Sequence, residues 1–381
     1  MTSTATNPLP RSIELNDDVA GVRFAATAAQ PAIADKSLRL PFLDFMRALA
    51  SQCIVLHHLV FYGPLPERAQ VAIPVVFDWF YHKARMAVQV FFVLGGYFTS
   101  RGLAKYKSMN ARSVAKTVWA RYRRIGIPYL AALAVAILAN ELARTWMDHE
   151  AISARPTTLQ LLAHAAFLHD VLGYEALSAG IWYLAIDFQL FLLTLGLFWI
   201  ARSWICKPSV AGRNQAHSVL LYLMGPLAIA SLFWFNRDPN YDIWAIYFFG
   251  SYFLGIVLHS LIERSLRVGW AVAYLLLVVA AGLVDPRPRL LVAAGTAIVA
   301  YMAKRTGLLT TWPNNRLVNY FGRISYSVFL IHFPVLLLVN AWSTSHMSVS
   351  TSSALYALSV AYLLSLIAGV GLYHSVESRI R

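Results

Sequence analysis

The chain has 381 residues, 58% of them hydrophobic and 13% charged, with a formal net charge of +14. A soluble protein of this length needs more polar surface to cover itself, and the long apolar blocks point to a bilayer rather than an oversized core. The positive balance reads as loop charge that orients membrane segments, not as a nucleic-acid footprint; two cysteines, Cys53 and Cys206, are too few for a disulfide framework or a zinc site.

Residues 1–36 carry Glu14, Asp17, Asp18 and Asp35 and lack an apolar stretch long enough for a signal peptide. They are expected to form a disordered cytoplasmic tail. Ten apolar segments follow, at 42–62, 86–103, 124–143, 178–201, 218–236, 243–262, 268–284, 289–303, 324–342 and 354–374. A span needs roughly 20 residues, so the eighth is short; Pro286 and Pro288 mark a tight turn before it. The expected fold class is therefore an all-α integral membrane protein, a bundle of about ten transmembrane helices over residues 37–381.

Loop charge sets the orientation. Residues 101–124 hold eight basic residues and no acid, and 202–217 hold Arg202, Lys207 and Arg213, again without an acid. The alternate loops are mixed: Arg68 with Glu67 and Asp78, Arg144 with Asp148 and Glu150, Arg237 with Asp238 and Asp242. Both termini are thus expected in the cytoplasm of a multi-pass inner-membrane protein. Residues 158–172, with His164, His169 and Asp170, are too short to span and are expected as an amphipathic helix on the periplasmic surface. Only Ser375 to Arg381 follow the last apolar block. No soluble catalytic domain is expected at either end, so any chemistry falls to the bundle.

The first segment carries Asp44, Arg47, His57 and His58. Ionisable groups within a span are costly and point to function. Arg47 and His58 are eleven residues apart, which at about 100° per residue returns to nearly the same helix face after a rise of about 16 Å. Both can line one groove, Arg47 toward the cytoplasm and His58 near the outer end. Asp44 lies one turn below Arg47, placed to balance it. His57 projects about 100° away and is expected to be packed or interfacial.

Several stretches together resemble a known family. Phe42-Leu43-Asp44 with Arg47 and His58 is similar to the opening helix of the membrane acyltransferase-3 family, with Ala48 where a glycine is usual. Phe91 to Phe98 (FFVLGGYF) resembles its second motif, with Gly95 in place of serine. Arg121 to Tyr129 (RYRRIGIPY) resembles its arginine-rich third segment. Trp182 to Gln189 (WYLAIDFQ) resembles a fourth motif, with Asp187 in place of glutamate; Gly322 to Pro334, with Ser325, Tyr326 and His332, resembles a fifth. The resemblance spans residues 40 to about 375. Members of that family O-acylate surface polysaccharides, lipopolysaccharide, peptidoglycan, periplasmic glucans and some macrolides.

The resemblance implies acyl-CoA, acetyl-CoA above all, as a donor substrate with no permanently bound cofactor or metal. It implies a carbohydrate acceptor, lipid-linked in one version. His58 is the implied catalytic histidine, as base toward a hydroxyl or as transient acyl carrier. Arg47 could hold the thioester or the developing negative charge. Asp187 could orient His58 as a triad carboxylate does. Arg121 and Arg124 are candidate phosphate-binding groups for the donor, set against ordinary topology charge. Trp182 and Tyr183 are candidate sugar-stacking groups, set against interfacial anchors. Ser325, Tyr326 and His332 are expected as helix-packing groups, and Gly95-Gly96 as a close helix approach or a kink. The rival reading is a transporter or flippase of a small solute or lipid-linked sugar, which would use the same buried charges; the inverted halves of such proteins are not visible here. A non-catalytic membrane receptor gives no reason for Arg47 and His58 to share a face.

Overall fold

The computed structural model describes residues 40–106, 109–202, 210–348 and 350–380. The tail expected at 1–36 and residues 203–209 of the basic inner loop lie outside them. The described residues form helices α1 (Pro41–Phe61), α2 (Leu65–Ala69), α3 (Pro74–His82), α4 (Val88–Leu103), α5 (Ala111–Ala143), α6 (Thr158–Ala165), α7 (Trp182–Ile200) and α8 (Val210–Phe233). There follow α9 (Ala245–Ile262), α10 (Val268–Val284), α11 (Pro288–Arg305), α12 (Leu308–Thr311), α13 (Arg316–His346), α14 (Thr351–Leu372) and α15 (Ser378–Ile380). Each of the ten apolar segments holds one long helix. Five helical stretches, at α5, α7, α9, α13 and 351–380, are long and apolar enough to cross a membrane by length and composition.

Surface and interior are inverted relative to a soluble protein. Leu138 (70% exposed), Val284 (83%) and Ile367 (66%) face outward, while His58, Gln89, Asn140, Asp187 and His332 are buried. Such an exterior matches hydrocarbon, and polar groups inside find partners across helices. The chain is a multi-pass membrane protein.

Two helices run further than their apolar segments. α5 starts at Ala111, where the Asn110 side chain caps it by accepting from the Ser113 N–H at 2.9 Å. The basic stretch 111–123 is therefore helix, not loop. α13 begins at Arg316, where the Asn315 side chain accepts from the Leu317 N–H at 2.8 Å. Conversely, the segment expected as a surface helix at 158–172 is helical only to Ala165, because Phe167 adopts a left-handed backbone (φ 59°) that ends it. Leu159 and Leu162 of α6 point outward and His164 inward.

α13 packs along α14, α1 and α5, and α4 packs along α9. The α4–α9 crossing depends on Gly96 and Gly255: a Cβ on either would run into the backbone carbonyl of Tyr252 or Val93 respectively. Of the expected glycine pair, Gly96 makes the close approach. Together these contacts bring α1, α4, α5, α7 and α13 around the polar groups described next.

Candidate active site

His58 sits near the end of α1 with 7% of its surface exposed and faces α13. Its Nδ1 lies 2.7 Å from Nε2 of the fully buried His332. The two rings are parallel within 7° with centres 5.0 Å apart, so they meet edge to edge rather than face to face. His332 Nδ1 in turn lies 2.7 Å from the Phe329 carbonyl oxygen, in the turn of α13 just before Pro334, through which the helix continues. His57 turns the other way, as the helical angle predicts, with Nδ1 3.0 Å from the Phe80 carbonyl of α3. Gly180 closes the fourth side in a left-handed conformation (φ +79°); a Cβ there would stand 3.1 Å from His58 Cε1 and 3.2 Å from Phe329 Cζ.

α7 leads inward from this end. Tyr183 packs against Phe91 and Phe329, with ring centres 5.4 Å and 6.0 Å away, and its hydroxyl makes no hydrogen bond with a described residue. Trp182 diverges and packs on Phe248, its ring centre 5.6 Å away. One turn after Tyr183, Asp187 accepts from Arg121 Nη2 at 2.5 Å in a part-buried ion pair joining α7 to α5. Asp187 therefore partners Arg121, and the ring beside His58 is His332. Arg124 lies on the exposed side of α5, apart from Arg121.

Gly95 explains how the shorter carboxylate is housed. A Cβ at 95 would come within 2.8 Å of Asp187 Oδ1, so the bare backbone of α4 makes room for the Asp187 side chain. Relative to the family pattern, Ser to Gly at 95 and Glu to Asp at 187 are thus changes at one contact.

Arg47 lies with its guanidinium 5.8 Å from the centre of the Phe98 ring and forms no hydrogen bond or ion pair with a described residue, Asp44 included. It shares electrostatic range with Tyr183, as do Arg121 and Asp187. Arg47, Gly95, Arg121 and Tyr183 all keep some accessible surface although they sit among the packed helices. The side-chain donors of this group, the two guanidiniums and the Tyr183 hydroxyl, suit an oxygen-rich ligand such as a thioester carbonyl or a phosphate. Among the described residues no group of three or more His, Cys, Asp or Glu side chains is arranged to hold a metal.

The site thus links His58, Tyr183, Asp187, Arg121 and Arg47 through successive contacts and electrostatic range, while Trp182 packs on Phe248 and Arg124 is exposed. His332 was not expected here. Its signal was present: an ionisable side chain in the middle of an apolar segment, two residues before a proline.

Comparisons with known proteins fit this arrangement. A family profile described as an acyltransferase domain matches residues 40–374. Glucans biosynthesis protein C from Salmonella paratyphi A, Salmonella agona and Salmonella typhimurium is 25% identical, over 81% of this chain and 85% of each relative. No solved structure matches. With nearly the whole bundle matched, and the Arg47–His58 helix at its start, the chain belongs to the membrane acyltransferase-3 family and is an O-acyltransferase.

Proposed function

We propose that the protein transfers an acyl group, acetyl in the simplest case, from cytoplasmic acyl-CoA to a hydroxyl of an exported carbohydrate on the periplasmic side of the inner membrane. The relatives' name makes a glucan the first acceptor to try. About ten helices span the membrane in this reading, with both termini cytoplasmic. The observation that supports it is the run of contacts from the Arg121–Asp187 pair through Tyr183 and Phe329 to Gly180, His58 and His332. A thioester made inside must meet a hydroxyl outside, and an arrangement with guanidiniums toward one side and an imidazole toward the other suits that meeting. His58 acts as the base. A sugar hydroxyl is a poor nucleophile at neutral pH, and imidazole's intrinsic basicity fits proton removal there. Arg47 and Arg121 hold the donor, with Arg121 kept in place by Asp187.

The test is mass analysis of surface and periplasmic glycans from cells with and without the gene, joined to transfer of labelled acetyl from acetyl-CoA in membranes. His58→Ala should abolish transfer in correctly inserted protein, and His57→Ala should keep most of it. A His58→Ala protein with undiminished transfer refutes the mechanism.

A further inference from the structure

We infer that His332 is a positioning and proton-sharing partner of His58: it fixes the tautomer that leaves His58 Nε2 basic, then takes up the Nδ1 proton as His58 accepts one from the acceptor hydroxyl. This rests on the reading of His58 as the base.

The hydrogen-bond chain leaves one arrangement for the uncharged pair. A carbonyl oxygen only accepts, so the 2.7 Å contact to Phe329 requires the proton on His332 Nδ1. A neutral imidazole carries one N–H, so His332 Nε2 has a lone pair and must accept from His58 Nδ1–H across their 2.7 Å contact. His58 Nε2 is then left without a proton. It makes no hydrogen bond with a described residue, and its neighbouring Cε1 faces the open backbone of Gly180. Two hydrogen bonds thus set the protonation of an atom that neither of them touches.

The same chain accounts for the missing carboxylate. No described Asp or Glu hydrogen-bonds to either ring, and Asp187, the natural candidate, is held by Arg121. The titratable groups against His58 are His57 and Tyr62, with ring centres 5.3 Å and 5.4 Å away, and His332 itself. None supplies negative charge, so an imidazolium on His58 alone would stand uncompensated in an apolar interior. Edge-to-edge rings offer another outlet. When the acceptor O–H bond breaks and its proton reaches His58 Nε2, the proton on Nδ1 moves along the contact to His332 Nε2. The charge then sits on a ring whose other N–H is already bound to a carbonyl. The sugar oxygen forms its bond to the acyl carbon, the C–S bond breaks, and the thiolate recovers the proton as the two rings return to their starting tautomers.

The experiment compares full-length wild type, His332→Gln, His332→Leu and His58→Ala in nanodiscs, with acetyl-CoA and gluco-oligosaccharides as the probe pair. Rates are measured in H2O–D2O mixtures alongside KM, kcat and thermal unfolding. Glutamine reaches the depth of Nε2 and can accept from His58 Nδ1–H, but it cannot take the proton. His332→Gln should keep wild-type unfolding and both KM values while kcat falls about 10–100-fold. Its rate should vary linearly with deuterium fraction where that of the wild type curves, because one proton rather than two is in flight. His332→Leu should be slower still, having lost orientation as well. A linear wild-type plot, an unchanged curve in His332→Gln, or wild-type kcat in His332→Leu overturns the relay. Undiminished turnover by His58→Ala, or a wild type inactive on this pair while active in cells, instead strikes the underlying reading of base or acceptor.

Discussion

Asp187 and Arg121 show how a single contact can hold one side of the site. Asp187 is buried and Arg121 partly so, and burial makes one partner costly without the other. Asp187→Asn leaves the Arg121 guanidinium unpaired and should cost about 3 kcal/mol of stability. Arg121→Gln should cost a similar amount by stranding the carboxylate. The double variant should recover much of the loss, because two neutral amides at that contact strand no charge. Thermal unfolding of the four purified proteins measures this; additive losses would mean that the pair is not coupled. At Gly180 the constraint is steric. An alanine there must hold a left-handed backbone and press its Cβ 3.1 Å from His58 Cε1. Gly180→Ala should lower kcat at least tenfold with a small change in unfolding temperature, since displacement of a reacting group by about 1 Å can cost 10²-fold. Of these residues, Arg47 and His58 are legible in one segment because eleven-residue spacing on a helix is local geometry. The His58–His332 contact joins residues 274 positions apart, and no local period announces it.

At the scale of elements, hydropathy located the apolar core of each long helix but not its polar ends. The first third of α5 is built from Arg112, Lys116, Arg121 and their neighbours, which favour helix while reading as loop on an apolar scale. The stretch after α6 shows the opposite failure: its apolar residues continue, but the chain turns at Phe167, burying His169 and half-burying Asp170. That turn has a pH signature. Burial, with His164 stacked 4.2 Å away, lowers His169 to about 3. Burial and the nearby Asp242 raise the Asp170 carboxyl to about 6; the Tyr129 hydroxyl also lies within electrostatic range of it. Below the ordinary histidine pKa of about 6.5 the unfolded chain protonates His169 and the folded chain does not, so this stabilisation is lost as pH falls toward 3. Between about 4 and 6 the folded chain keeps the Asp170 proton that the unfolded chain releases, so this stabilisation is lost as pH rises through 6. The two slopes oppose each other across that window. Asp170→Asn removes one of them. The variant should unfold at higher temperature than wild type near pH 7, and its advantage should shrink steadily from pH 6 to pH 4. A constant difference across that range would show that Asp170 titrates normally.

For the whole molecule, the decisive question is which end of the site faces the cytoplasm. His58 and Gly180 lie at one end, and the basic start of α5 at the other; Arg47 is about 16 Å along α1 from His58. If the basic end faces the cytoplasm, the donor meets guanidiniums first and the acceptor meets the histidine pair. The reverse orientation would put His58 on the donor's side and leave no reason for the arginines to precede it. Loop charge argues for the first arrangement, since the stretch 101–124 has eight basic residues and no acid. Reporters inserted between Lys105 and Asn110, or fused after Arg381, should therefore read cytoplasmic. Reporters within 148–156, beyond the outer end of α5, should read periplasmic. The paired design also tests the span count, because an odd number of crossings between α5 and the C-terminus puts 148–156 and Arg381 on opposite sides. If both report the same side, one of the helices outside the five clear spans, α8, α10 or α11, does not cross. Such an outcome would change the side of the C-terminus and leave the first four long helices as they are. Reporters at 105–110 and 148–156 reading the same side would instead mean that α5 does not cross, and the transmembrane part of the proposed transfer would fall with that result.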